Sequence, residues 1–264
     1  MLRNIFTKTL RDQRRPLLWW SLGLVTLTLI TILYYPAVRA TPALNQMMQD
    51  MPEGLRSLFG GGDIVSPAGY LTAELFALMV PLLFLIYAVN LGVGAIAGEE
   101  ERGTLELLLA LPVSRRRVVV EKFAALVGLL AALSLVLWLT LWLGARSVDM
   151  AIGGDRLAAA TTNTALLALT LGALGLALGA GTGRRGLSLG ICAAIAAGGY
   201  VWNGLAPLVE ALAPLRRLSL FYYALASEPL RNGLDPGHAA VLGGTTVILF
   251  AVALLGLDRR DVAV

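Results

Sequence analysis

Residues 98–122 read GEEERGTLELLLALPVSRRRVVVEK and gather an unusual density of charge in an apolar chain. Glu99, Glu100 and Glu101 open the stretch, a leucine-rich run follows, Pro112 stops it, and Arg115, Arg116 and Arg117 close it. Carboxylates do acid–base work or hold a metal only in the company of a nucleophile, a base or further ligands. No such company is visible, since the lone His238 and the lone Cys192 have neither a second Cys nor a second His beside them. Three arginines at a helix start also oppose the helix dipole, at about 0.3–1 kcal/mol each. Either anionic headgroups or acidic groups on a partner must offset that cost. The chemistry on offer is ion pairing and docking rather than catalysis.

Local signals shape this stretch into a hairpin. Thr104 is placed to cap a short helix carrying Leu105, Leu107, Leu108, Leu109 and Leu111. Ser114 is placed to cap the next helix, with Val113 and Val118 at the two positions of a hydrophobic staple. The capping box is incomplete, because Arg117 stands where Glu or Gln is preferred. A plain positive anchor would account for the arginines but not for the leucine-rich hairpin or the acidic triplet.

The elements that hold this hairpin are membrane spans. The 264 residues are 57% hydrophobic and only 14% charged, against about a quarter charged in soluble domains. The expected fold is all-α, with six transmembrane helices at 17–38, 71–97, 118–145, 157–183, 187–206 and 238–257. A charged block fenced by such spans cannot lie in lipid. Residues 2–15 form a basic amphipathic segment, either a helix in the headgroup plane or a positive flank, with Pro16 permitting a sharp turn into the first span. Residues 39–70 suggest two short amphipathic helices on the outer surface, and residues 207–237, rich in Pro and Gly, suggest two short helices that dip into the outer face and return. With the amino terminus inside, 14 of the 21 basic residues fall on inner segments. That bias places both termini and the 98–117 loop in the cytoplasm. The basic residues lie in clusters between spans, which excludes a nucleic-acid face.

Small and polar residues mark further positions. Gly175, Gly179 and Gly183 repeat at the spacing that lets helices approach closely, within the subunit or across a dimer. Gly94/Gly98 and Gly190/Ala194/Gly198 repeat the pattern. Asn90, Asn163 and Asn203 lie in spans, where an amide needs a partner or water. They either line a pathway, for which Asn90 and Asn203 are the candidates, or pair with neighbouring helices. Residues 181–186 match G-x-G-x-x-G, but between two apolar helices this is a turn and not a dinucleotide site. No G-x-x-x-x-G-K-[ST] occurs, so the chain cannot bind ATP through a P-loop.

The run G-E-E-E-R-G-T-L-E-L-L-L-A-L-P-V-S-R resembles the signature of the permease subunits of ABC-type exporters, type-two subclass. The six-span layout, the amino-terminal amphipathic segment (that family's elbow, here 1–16) and the broken segment 207–237 extend the resemblance over the single domain 1–264. The resemblance implies that Glu99, Glu100, Glu101, Gly103, Thr104, Leu105, Glu106, Leu108, Pro112, Ser114 and Arg115 form a coupling element that docks on a P-loop ATPase of the ABC type. It implies no enzyme activity in this chain and no cofactor of its own, ATP and Mg being held by that ATPase. It further implies a second copy or a related permease as partner, and a bacterial or archaeal cytoplasmic membrane. The cargo expected is lipophilic or amphiphilic: a drug, an antibiotic or a lipid. The competing expectation is a membrane scaffold or sensor that signals through the same loop without transport.

Overall fold

The computed structural model describes residues 4–41, 43, 46, 50, 52, 65–105, 113–209 and 212–260. It is all-α, with no strand among the described residues. The helices are α1 (Ile5–Arg39), α2 (Pro67–Leu71), α3 (Met79–Glu101), α4 (Arg115–Ser147), α5 (Gly154–Thr182), α6 (Arg185–Leu205), α7 (Leu220–Leu225), α8 (Pro229–Asn232) and α9 (Pro236–Arg259). Six helical segments are long and apolar enough to cross a membrane, α2 and α3 counting as one. The protein is a multi-pass membrane protein. The helices alternate in direction, so Asn4, Glu101, Arg115, Thr182, Arg185 and Arg259 gather at one end, the charged end.

α5 is the central helix. It packs on α3, α9, α4 and α6, while α1 lies mainly against α4. The contact between α5 and α3 is close because glycines face each other. A Cβ on Gly92 would overlap the carbonyl oxygen of Gly172, and one on Gly175 would lie 3.2 Å from the Val93 nitrogen and 3.3 Å from the Val89 oxygen. Gly179 meets the Val93 carbonyl at 3.3 Å in the same way. The stripe of Gly175 and Gly179 is therefore spent inside the subunit. Gly183 differs: it is the left-handed C-cap of α5, with φ of 65°, a conformation that favours glycine. Gly94, Gly190 and Gly198 meet no atom within 4 Å of a built Cβ.

Several polar groups in the spans find protein partners. Thr161, Thr164 and Thr170 donate to carbonyls one turn back, and Thr170 Oγ1 also lies 2.9 Å from Thr246 Oγ1 of α9. Asn163 Nδ2 donates to the Ala224 carbonyl at 3.3 Å, tying α5 to α7. Asp235 caps α9 by accepting the N–H groups of His238 (3.0 Å) and Gly237 (2.8 Å). Those bonds hold its carboxyl below the usual aspartate range.

Two expectations are corrected. α1 is helical through Pro16, so no turn at that residue separates an interfacial segment from the first span. Its first residues pack on protein: Ile5 is buried with Val118 and Val119, and Phe6 N–H donates to Glu121 Oε2 at 3.1 Å. The carbonyl that Pro16 leaves without a donor belongs to Asp12, which is exposed and open to water. The second span, expected to be continuous over 71–97, is broken. A π turn over Thr72–Phe76 ends with Ala77 N–H donating to the Thr72 carbonyl at 2.6 Å, and Leu78 leaves helical geometry at φ −140°. Pro81 explains this, since its ring clashes with the carbonyl four residues back, that of Ala77. The amphipathic helices expected over 39–70 lie largely outside the described residues. In 207–237 the short helices α7 and α8 are present, with 3-10 turns at Ala206–Leu208 and Ala213–Leu218 before them.

Candidate functional site

The charged end is built from groups that the sequence places far apart. Glu99, in the last turn of α3, pairs with Lys122 of α4, and both side chains are under a tenth exposed. Glu100 pairs with Arg260, just past α9. Glu101 pairs with Arg185 at the start of α6, at 3.3 Å and largely in the open. One acidic triplet thus reaches three different helices. Each carboxylate points to a different side because successive helical residues are about 100° apart.

The arginines are met from within the chain as well. Arg115 Nη1 donates to the carbonyls of Leu257 (3.2 Å) and Arg260 (2.6 Å), at the end of α9. A cation at a helix C-terminus is stabilising, because the last carbonyls lack intrahelical donors. Arg116 Nε bonds Asp258 Oδ2 at 2.5 Å and Arg117 Nε bonds Glu121 Oε1 at 2.7 Å. The offset expected from headgroups or a partner is supplied by α9 and by α4 itself.

Between these anchors the chain turns away. Gly103 takes φ of 65°, which glycine adopts without steric cost. Thr104 donates its hydroxyl to the Glu99 carbonyl at 3.1 Å at the end of α3, and the helix that it is expected to cap lies outside the described residues. Leu105 is fully buried with Ile96, Val118 and Val119, so it braces the loop from inside. Glu106, Leu108 and Pro112 lie outside the described residues. Ser114 caps α4 as expected, its Oγ accepting the Arg117 N–H at 3.3 Å, and Val113 and Val118 share one apolar cluster. Ser114→Ala is expected to cost about 1 kcal/mol, read as a lowered thermal midpoint of the purified chain.

Two cavities lie above this end. The first, about 570 Å³, is lined by α1, α3, α4 and Arg185, and its polar wall includes Lys8, Asp12, Asn90, Glu99, Arg102 and Lys122. The second, about 530 Å³, runs between α3 and α6 and is almost wholly apolar, from Leu78 and Pro81 to Cys192, Tyr200 and Phe221. Ile86 and Asn90 line both. Asn90 is exposed, with Nδ2 donating to the Ile86 carbonyl of its own helix at 2.8 Å. Asn203 lines neither cavity. It is buried, and its Oδ1 accepts Arg216 Nε at 2.9 Å.

The six-helix layout and the charged loop between its second and third spans now stand beside a whole-chain comparison. A model of the ABC-2 family transporter protein matches residues 3–262. The chain belongs to the ABC-2 family. No curated relative matches it. As an ABC-2 family member it is the membrane component of an ABC transporter system, a setting that implies an ATPase partner. The partners of the acidic triplet were not visible in the sequence. Lys122, Arg185 and Arg260 stood there only as members of basic clusters, and the one available signal was that carboxylates and cations meet at the same helix ends.

Proposed function

We propose that this chain is the permease subunit of an ABC exporter, moving a lipophilic or amphiphilic cargo across a bacterial or archaeal cytoplasmic membrane with a separate ATPase. Both termini and the charged end face the cytoplasm in this reading, as the basic bias directs. Two permeases, identical or related, pair above two ATPases that bind ATP and Mg. The observation that carries the reading is the anchoring of the loop. Glu99, Glu100, Arg115 and Arg116 tie its two feet to each other and to α9. Gly103, Thr104, Leu105 and Ser114 shape those feet. The acidic triplet and Arg115 act as braces, and Glu106, Leu108 and Pro112 make the contact with the ATPase. An amphiphilic cargo is supported by a polar and an apolar cavity that share Ile86 and Asn90 in their walls.

The test is association with a co-expressed ABC-type ATPase. Leu108→Ala is expected to weaken co-purification about tenfold, the effect of losing one interface anchor, and to lower permease-dependent ATP hydrolysis in parallel. Unchanged association would remove the loop from the interface. Association without stimulated hydrolysis would favour a scaffold.

A further inference from the structure

The polar cavity has a charge imbalance and two unmet groups. Its wall carries Lys8, Arg102, Lys122 and Arg185 against Asp12 and Glu99. Lys122 is taken by Glu99, and Arg185 by Glu101. Lys8 and Arg102, both exposed, have no ion pair among the described residues, nor has Asp12 of the same wall, so the balance left is one positive charge. Two further atoms of wall residues, Glu99 Oε2 and the Tyr87 hydroxyl, are buried without a hydrogen-bond partner among the described residues. Their residues are 7% and 3% exposed. A buried carboxylate oxygen needs a donor, and a buried phenol needs a partner of either kind. Cations in excess attract an anion, and basic pockets between membrane helices at the cytoplasmic face suit anionic headgroups.

One ligand class answers all three demands. We propose that this cavity holds the headgroup of an anionic phospholipid that also bears hydroxyls, a phosphate ester of glycerol or a sugar. The phosphate lies against Lys8 and Arg102, a hydroxyl donates to Glu99 Oε2, and the Tyr87 hydroxyl donates to an ester oxygen. One acyl chain leaves past Ile86 and Asn90 into the apolar groove beside α6. This names the headgroup of the amphiphile assigned above and rests on that reading, with the charged end on the cytoplasmic leaflet.

The experiment is binding to the purified full-length chain by native mass spectrometry, without an ATPase. Phosphatidylglycerol is compared with phosphatidylcholine of the same acyl chains, and glycerol 3-phosphate is the soluble arm. Phosphatidylglycerol is expected to be preferred about tenfold or more, with Lys8→Gln/Arg102→Gln bringing the ratio near one and Tyr87→Phe lowering it severalfold. Equal binding of the two lipids, or an unchanged ratio in the double variant, overturns the proposal. Competition by glycerol 3-phosphate at the concentration at which phosphatidylglycerol binds also overturns it, since the chain would then contribute nothing. ATPase association is measured in a separate co-purification of the same variants. Its retention alongside equal lipid binding would sink the headgroup assignment and leave the exporter reading standing. Its loss alongside a clear lipid preference would do the reverse.

Discussion

Lys122→Met alone is expected to destabilise the protein by about 3–5 kcal/mol, while Glu99→Gln/Lys122→Met returns to within about 1 kcal/mol of the parent. The two side chains are 7% and 9% exposed, so water screens the pair little. Removing the ammonium strands a carboxylate whose other oxygen already has no partner among the described residues. Removing both charges takes away the attraction and the desolvation cost together, which is why the double replacement is mild. The measurement is the unfolding midpoint of the purified chain for the parent, each single variant and the double variant. Additive losses in the double variant would show that the two residues do not act as a pair.

Gly92→Val is expected to cost at least about 3 kcal/mol, and Gly94→Val no more than about 0.5 kcal/mol. The two positions are on one helix, two residues apart. At Gly92 the added carbon would occupy the place of the Gly172 carbonyl oxygen, and backbone in a packed helix pair cannot step aside as a side chain can. At Gly94 there is no atom within 4 Å. The same midpoint assay checks both, together with the amount of folded protein recovered from membranes. Parent-like behaviour of Gly92→Val would mean that α3 and α5 do not touch as described.

Much of the architecture is legible in the residue pattern, because crossing a bilayer demands apolar runs of a set length. The third span expected over 118–145 is observed as Arg115–Ser147, and the Ser114 cap lies where the local chemistry places it. What stays hidden is how tertiary surroundings act on identical local signals. Pro16 and Pro81 read alike, yet α1 continues through the first while the chain breaks before the second. Asp12, which loses a donor to Pro16, is exposed to water, whereas Ala77 and Pro81 are both buried. Burial of the orphaned carbonyl does not decide the outcome alone, because α1 also runs through Pro36, four residues after the fully buried Ile32.

The charged loop shows the same division. Its composition announces ion pairs, but not that Glu100 would find a partner 160 residues away, or that Arg115 would serve the end of the last helix. Pairing across such distances depends on which helix ends the bundle brings together, and that is a property of the packed whole. Gly183 was grouped with Gly175 and Gly179 by spacing alone, although it ends the helix and takes a left-handed conformation.

The grip of Arg115, Arg116 and Glu100 on the foot of α9 has a mechanical consequence. Two rods joined by a hinge can scissor, but three rods bolted at their bases tilt as a tripod. In the proposed coupling, a thrust arriving between α3 and α4 is shared by α3, α4 and α9 as one frame. α6 is held to that frame at its base by the short turn from α5 and by the buried contact of Cys192 with Val93 and Ala97, and the exposed Arg185–Glu101 pair adds little strength. α6 packs on the flank of that frame, and the apolar groove lies between it and α3.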